Sequence, residues 1–236
     1  MMNLSPILIS IKTASVAIGV TFFLGILVAK GVAGIQRKEW KMILDGILTL
    51  PLVLPPTVAG FFLLYLFGVR GPVGRFFLAF WSIKIAFSWG ATVLAAVTIS
   101  FPLMYRSARG ALEQVDPSLI YAARTLGMSE WKLFWKVSLP TAMPGVASGG
   151  VLAFARGLGE FGATAMIAGN IPGKTRTLPL AIYSTVAAGD MESAYTYVLI
   201  IVLFSFGVVA LMNYGTLQNE RPPELPLDSG ESRGRL

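Results

Sequence analysis

Residues 121–140 read YAARTLGMSEWKLFWKVSLP, a polar and basic interruption in an otherwise apolar chain. Of 236 residues, 55% are hydrophobic and only 13% are charged, whereas ordinary soluble domains carry roughly 25% charged residues. So few charges cannot cover a soluble surface of this size. The chain reads as an all-α integral membrane protein, and residues 121–140 read as a loop that its apolar segments hold outside the bilayer.

Working outward, about twenty apolar residues at 1.5 Å each cross a hydrocarbon core of about 30 Å. Five segments meet that length, at about 7–29, 47–67, 89–105, 142–167 and 195–217. The first is longer than the apolar core of a signal peptide and lacks a basic leader, so it reads as a retained span. Lys12 snorkels toward its outer end. The second contains Pro51, Pro55 and Pro56, which remove backbone donors and kink a helix. Membrane helices tolerate this where neighbours or water re-satisfy the backbone, so the kink marks either a cavity wall or a packing bend. Residues 70–88 are aromatic but punctuated by Arg75 and Lys84, which suits a segment in the outer interface; a sixth span is the alternative there. Residues 218–236 are polar and proline-punctuated and are expected to be a disordered tail.

Sidedness follows from basic residues in the short loops. Lys30, Arg37, Lys38 and Lys41 fall in the first loop, and Arg106, Arg109, Arg124, Lys132 and Lys136 in the segment 106–140. Arg221, Arg233 and Arg235 lie in the tail. The opposite side has Arg70, Arg75, Lys84, Lys174 and Arg176. Five spans with this bias put the N-terminus outside, and the 121–140 loop and the C-terminus in the cytoplasm. The net charge of +7 thus reflects loop topology rather than nucleic-acid binding.

Within the loop, Asp116 and Pro117 form a helix start and Gly127 a stop, and Ser129 caps a second short helix running through Lys136. Two short helices joined at a glycine make a knob. Its spacing is Ala122-Ala123, three residues, Gly127, nine residues, then Val-Ser-Leu139-Pro140. This resembles the EAA loop of ABC-transporter permeases, with Tyr121 in place of the usual Glu and Val137 in place of Ile. The resemblance implies that the knob (Tyr121, Ala122, Ala123, Arg124, Gly127, Leu139, Pro140) docks into a separate ATPase subunit, with Ala122 and Ala123 permitting close approach. The alternative is a basic loop resting on lipid headgroups.

The fourth segment carries Arg156 and Glu160, four residues apart and able to pair on one helical face. Mid-membrane charges cost roughly 2.5–3.5 kcal/mol on insertion scales, so they face the interior and pair. The pair is either a structural clamp or a pathway or gate element. Gly145, Gly149, Ala153 and Gly157 form a small-residue stripe suited to close helix packing. The run Phe-Ala-Arg-Gly-Leu-Gly-Glu-Phe-Gly-Ala at 154–163 resembles permeases for tetrahedral oxyanions. Residues 168–175 (AGNIPGKT), 177–183 (TLPLAIY) and 50–61 (LPLVLPPTVAGF) are most similar to the molybdate type. The resemblance covers nearly the whole chain except the tail. It implies a prokaryotic inner-membrane permease, paired as two identical copies, with two ABC ATPases, an extracytoplasmic oxyanion-binding protein and surrounding lipid as partners. ATP and magnesium would belong to the ATPases, with no cofactor or metal on this chain. Sulfate, thiosulfate or tungstate remain alternative cargoes.

Other classes are disfavoured by what is missing. The chain has no cysteine and no histidine, which removes thiolate nucleophiles and His-based zinc sites and bases. An intramembrane enzyme would need convergent groups beyond Glu160, so ATP hydrolysis and any other catalysis are expected elsewhere. Residues 168–175 loosely mimic a phosphate loop, but they follow a span rather than a strand, contain Pro172 and fall on the outer side. An ATP-independent channel or carrier would not need the knob.

Overall fold

Three long apolar helices build the centre of the protein, and each accommodates proline, at its first turn or within its length. The computed structural model describes residues 3–219, so the tail expected at 218–236 lies, from 220 onward, outside the described residues. Helix α1 (Ser5–Ala33) is followed by α2 (Lys38–Val53), α3 (Pro56–Phe67) and α4 (Pro72–Trp81). Helix α5 (Trp89–Glu113) leads to the knob helices α6 (Pro117–Thr125) and α7 (Glu130–Leu133). Then come α8 (Leu139–Leu158), α9 (Gly162–Ala168), α10 (Leu178–Ala187) and α11 (Met191–Asn219). Among the described residues there is no strand. Four helical runs are long and apolar enough to cross a membrane, or five if the bent α2–α3 pair counts as one.

Helices α1, α5 and α8 form the core. Thr13 and Thr92 hydroxyls hydrogen-bond at 3.0 Å, and Thr21 and Ser100 at 3.3 Å, both pairs 79 residues apart. A side chain on Gly25 would meet Met104, at the same offset. Helices α1 and α5 are therefore parallel and in one register. Helix α8 runs the other way: Gly145 lies against Ala111, Gly149 against Ser107, and Gly157 against Ser100. A Cβ on Gly149 would stand 2.3 Å from that of Ser107, so this contact needs glycine, and the stripe read from sequence is the seam with α5. Ile26, Met104, Tyr105 and Val146 fill the space between the three helices. The outward faces stay apolar, with Phe23, Leu199, Leu203 and Phe206 all more than half exposed, as lipid contact requires.

The sequence expectations for span limits shift in three places. Helix α5 does not end near residue 105 but continues to Glu113, because Pro102 sits buried inside it without breaking it. The segment 47–67 is bent by 110° into α2 and α3, far more than a proline kink. Leu54 and Pro55 adopt extended backbone, with ψ of 142° and 134°, as expected for a residue held before a proline. Pro51 lies inside α2 and does not end it. The segment 142–167 likewise breaks into α8 and α9. Residues 70–88 hold the ten-residue α4, too short to cross, where the rings of Phe76, Phe77, Phe80 and Trp81 meet in edge-on and tilted contacts. Lys12 reaches the Trp89 ring at 4.2 Å, satisfying its charge within the protein.

Candidate functional site

The knob is assembled by local rules. The Asp116 carboxylate accepts a hydrogen bond from the Ser118 N–H at 2.8 Å, and Pro117 occupies the first helical position, where no donor is needed. At the other end the Met128 N–H reaches the Ala123 carbonyl and the Gly127 N–H reaches Arg124. This closure requires a left-handed residue, and Gly127 supplies it with φ +73°. Nothing lies within 4 Å of where its side chain would be, so backbone conformation rather than packing demands glycine here. Ser129 then caps the next helix by accepting from the Lys132 N–H at 3.4 Å. Arg124 and Glu130 bridge the two helices at 2.8 and 3.3 Å. The Arg124 hydrogen bonds hold the Glu130 carboxyl below its ordinary value.

The second knob helix does not stop at Lys136. It passes through a wide turn at Phe134–Ser138 directly into α8. Pro140 has no N–H to offer the preceding turn, and the turn ahead of it widens so that the Leu139 N–H bonds to Phe134 instead, a π-bulge. Leu139 is buried and Pro140 exposed, so these two residues join the knob rigidly to a span rather than close a loop. The two alanines also separate: Ala122 is exposed and Ala123 buried. The outward face carries Tyr121, Leu126 and Trp131, each more than half exposed, beside Lys132 and Lys136. Behind it, the Lys30 ammonium at the end of α1 lies 4.0 Å from the Trp131 ring centre and 4.2 Å from that of Phe134. The knob is thereby tied to both α1 and α8.

The second arrangement lies among the two breaks. Glu160, 2% exposed at its side chain, stands in the gap between α8 and α9. One of its oxygens accepts from Arg156 Nη1 at 2.9 Å and the other from the Ala163 N–H at 2.8 Å. It thus pairs a charge on one helix and caps the start of the next. Position 162 faces the other break: a Cβ on Gly162 would lie 3.0 Å from Pro56 and 3.1 Å from the Thr57 nitrogen. One turn on, a Cβ on Gly60 would stand 2.6 Å from the Ala163 Cα. The structure therefore sets Pro56 against the start of α9, two residues beyond Glu160 and its partner Arg156, features that the sequence shows as separate. Pro51 is not part of this contact, since it lies within α2 on the far side of the bend.

A third cluster was missed from sequence. Tyr105 and Arg109 on α5 both bond to Asp45 on α2. Arg109 also bonds to Glu113 at 2.9 Å, and Lys41 reaches the same carboxylate at 2.9 Å. The signal was present: Lys41 and Asp45, and Tyr105, Arg109 and Glu113, recur every four residues, the spacing of one helix face. Ending the third span at 105 hid it. The loop at 169–175 turns its Thr175 hydroxyl onto its own backbone. The Thr175 hydroxyl accepts from the Ile171 N–H at 3.0 Å and is buried, so it closes a turn.

Comparison with known proteins decides the family. The family described as "Binding-protein-dependent transport system inner membrane component" matches residues 10–215. The chain belongs to it. Among curated relatives, the molybdenum transport system permease protein ModB of Escherichia coli (strain K12) is 46% identical over 79% of this chain and 81% of its own length. The putative molybdenum transport system permease protein YvgM of Bacillus subtilis (strain 168) is 42% identical over 86% of this chain and 88% of its own. Two solved structures share the fold. One is a bacterial ABC transporter involved in the import of the acidic polysaccharide alginate, with TM-score 0.71 and 14% identity over 92% of this chain and 80% of that one. The other is the MetNI methionine ABC transporter in inward-facing conformations, with TM-score 0.59 and 17% identity over 89% and 95%. The all-helical fold and the multi-pass inner-membrane character are those of this family.

Proposed function

We propose that this chain is the membrane-spanning permease subunit of an ATP-binding-cassette importer for molybdate. The observation that carries the reading is the identity of 42–46% to molybdenum transport permeases over most of the chain, joined to a knob built on Gly127. The permease works as a homodimer, because five spans are too few to enclose a gated path. Two cytoplasmic ATPases bind and hydrolyse ATP with magnesium, and an extracytoplasmic oxyanion-binding protein delivers the cargo. The N-terminus lies outside and the knob and C-terminus inside.

In this mechanism the face bearing Tyr121, Ala122, Arg124 and Leu126 docks into the ATPase. Closure of the ATPases pulls the knob, and the continuous helix through Leu139 and Pro140 passes the motion into α8. At the far end of α8, Arg156 and Glu160 hold the break that meets Pro55 and Pro56, and this junction gates the path. The chain itself performs no catalysis.

The test is co-purification of the chain with its candidate ATPases, together with ATP-driven molybdate uptake in proteoliposomes. Gly127→Trp and Leu126→Arg place bulk and charge on the docking face, and the second does so without backbone strain. Both are expected to abolish assembly and uptake while the permease stays folded. Unchanged assembly, or molybdate flux through the chain without any ATPase, overturns the reading in favour of a channel or carrier. Uptake of sulfate or tungstate in preference to molybdate corrects the cargo alone.

A further inference from the structure

We infer that Arg106 on α5 is the anchor of a tetrahedral-oxyanion binding site in the cleft between α5 and α8. Two cavities flank this residue. One of about 380 Å³ lies on the α2 side, lined by Asp45, Thr49, Arg109 and Glu113. The other, of about 520 Å³, lies on the α8 side and is lined by Ser107, Gln114, Thr141 and Gly145. Arg106 and Gly110 line both.

Charge separates the two cavities. On the α2 side each carboxylate is already taken, Asp45 by Arg109 and Glu113 by Arg109 and Lys41. Two cations and two anions cancel there. Arg106 makes no ion pair and no side-chain hydrogen bond among the described residues, so its charge is left over. The α8-side cavity has no carboxylate in its lining. A guanidinium presents five donors in a fork matched to oxyanion geometry.

The surrounding donors suit the same ligand. Ser107 and Gln114 line the α8-side cavity and also have no side-chain hydrogen bond among the described residues. The Thr141 hydroxyl is not available, because it donates to the Val137 carbonyl at 2.8 Å. Arg106, Gly110 and Gln114 fall one turn apart along one face of α5. At Gly110 there is open space where a side chain would stand. The cleft is therefore a notch with a cation at one end, an amide at the other and room between them. The C-terminal dipole of α5, equivalent to roughly half a negative charge, opposes an anion here, so the full charge of Arg106 is what makes the site.

The importer reading enters only in the choice of molybdate as probe. The oxyanion could be free in solution or the phosphate of a lipid headgroup, and the test separates them. The purified full chain is placed in nanodiscs of phosphatidylcholine alone, and bound molybdenum is measured by equilibrium dialysis with elemental detection. Saturable binding that sulfate competes away is expected, weakened about tenfold or more in Arg106→Gln, which loses both charge and fork, and less in Arg106→Lys, which keeps the charge. If no free oxyanion binds, but anionic phospholipid co-purifies with wild type and not with Arg106→Gln, the site holds a lipid phosphate. Absence of both, or molybdate binding unchanged in Arg106→Gln, overturns the inference. Arg106→Gln is exposed and is expected to fold and to co-purify with the ATPases, so loss of the oxyanion site and loss of the importer reading give different results.

Discussion

The chain breaks two of its membrane segments, and the two breaks are made by different physics. Between α2 and α3 the break is favoured by the backbone itself: Pro55 biases Leu54, and Pro56 biases Pro55, toward the extended conformation both adopt. Between α8 and α9 no proline is involved. That break persists because a carboxylate, Glu160, supplies the Ala163 N–H with a partner and is itself neutralised by Arg156. One break is written into the backbone, and the other is held by its neighbours. They then pack against each other through Gly60 and Gly162, so a rigid bend is placed against a conditional one.

The comparison is broken most severely at the contact itself. Gly60→Leu puts a side chain where the Ala163 backbone lies, and is expected to cost about 3 kcal/mol or to separate α3 from α9; thermal unfolding in detergent measures it. Glu160→Ala leaves a buried N–H and a partly buried guanidinium without a partner and is expected to cost about 2 kcal/mol. Glu160→Gln, which keeps an acceptor for Ala163, should cost roughly half as much by the same measurement. If the two substitutions are equal, the Arg156 pair and not the cap holds the break.

The prolines sharpen the contrast with smaller effects of opposite sign. Pro55→Ala frees Leu54 and is expected to lower stability by about 1 kcal/mol through added freedom in the unfolded chain. Pro51→Ala restores a helical N–H within α2 and should raise stability by a comparable amount, about 1 kcal/mol. The smallest effect belongs to the knob. The folded-state value of Glu130 is depressed by Arg124, so its contribution is present above the unfolded carboxylate value and is lost as pH falls through the folded one. The pair is solvent-exposed and screened, and Glu130→Gln should leave the acid limb of the unfolding curve almost unmoved.

Much of this was legible in the sequence wherever the cause is local. Hydrophobic length marked the spans, and Asp116, Gly127 and Ser129 marked the ends of the knob helices. The stripe from Gly145 to Gly157 announced a close helix contact. The break at Glu160 was not legible, because apolar residues continue on both sides of it and its stabilising partner, a backbone N–H, is not a letter in the sequence. The continuity from the knob into α8 was hidden for the opposite reason. Pro140 looks like a terminator, and only the widened turn at Phe134–Ser138 lets the helix pass. The Asp45–Tyr105–Arg109 cluster joins two helices about sixty residues apart, and periodicity on each helix shows only half of it.

The constant offset of 79 residues between α1 and α5 has a consequence for how this gene can change length. One residue inserted between Thr13 and Thr21 would turn the following part of α1 by about 100°. Thr21 would then miss Ser100, and Leu24 would take the place where Gly25 leaves space for Met104. A matching insertion in α5 between Thr92 and Ser100 would restore the register. Insertions at residues 34–37, between helices, disturb no pairing. Tolerated length changes should thus be confined to the connections or arrive in the two helices together.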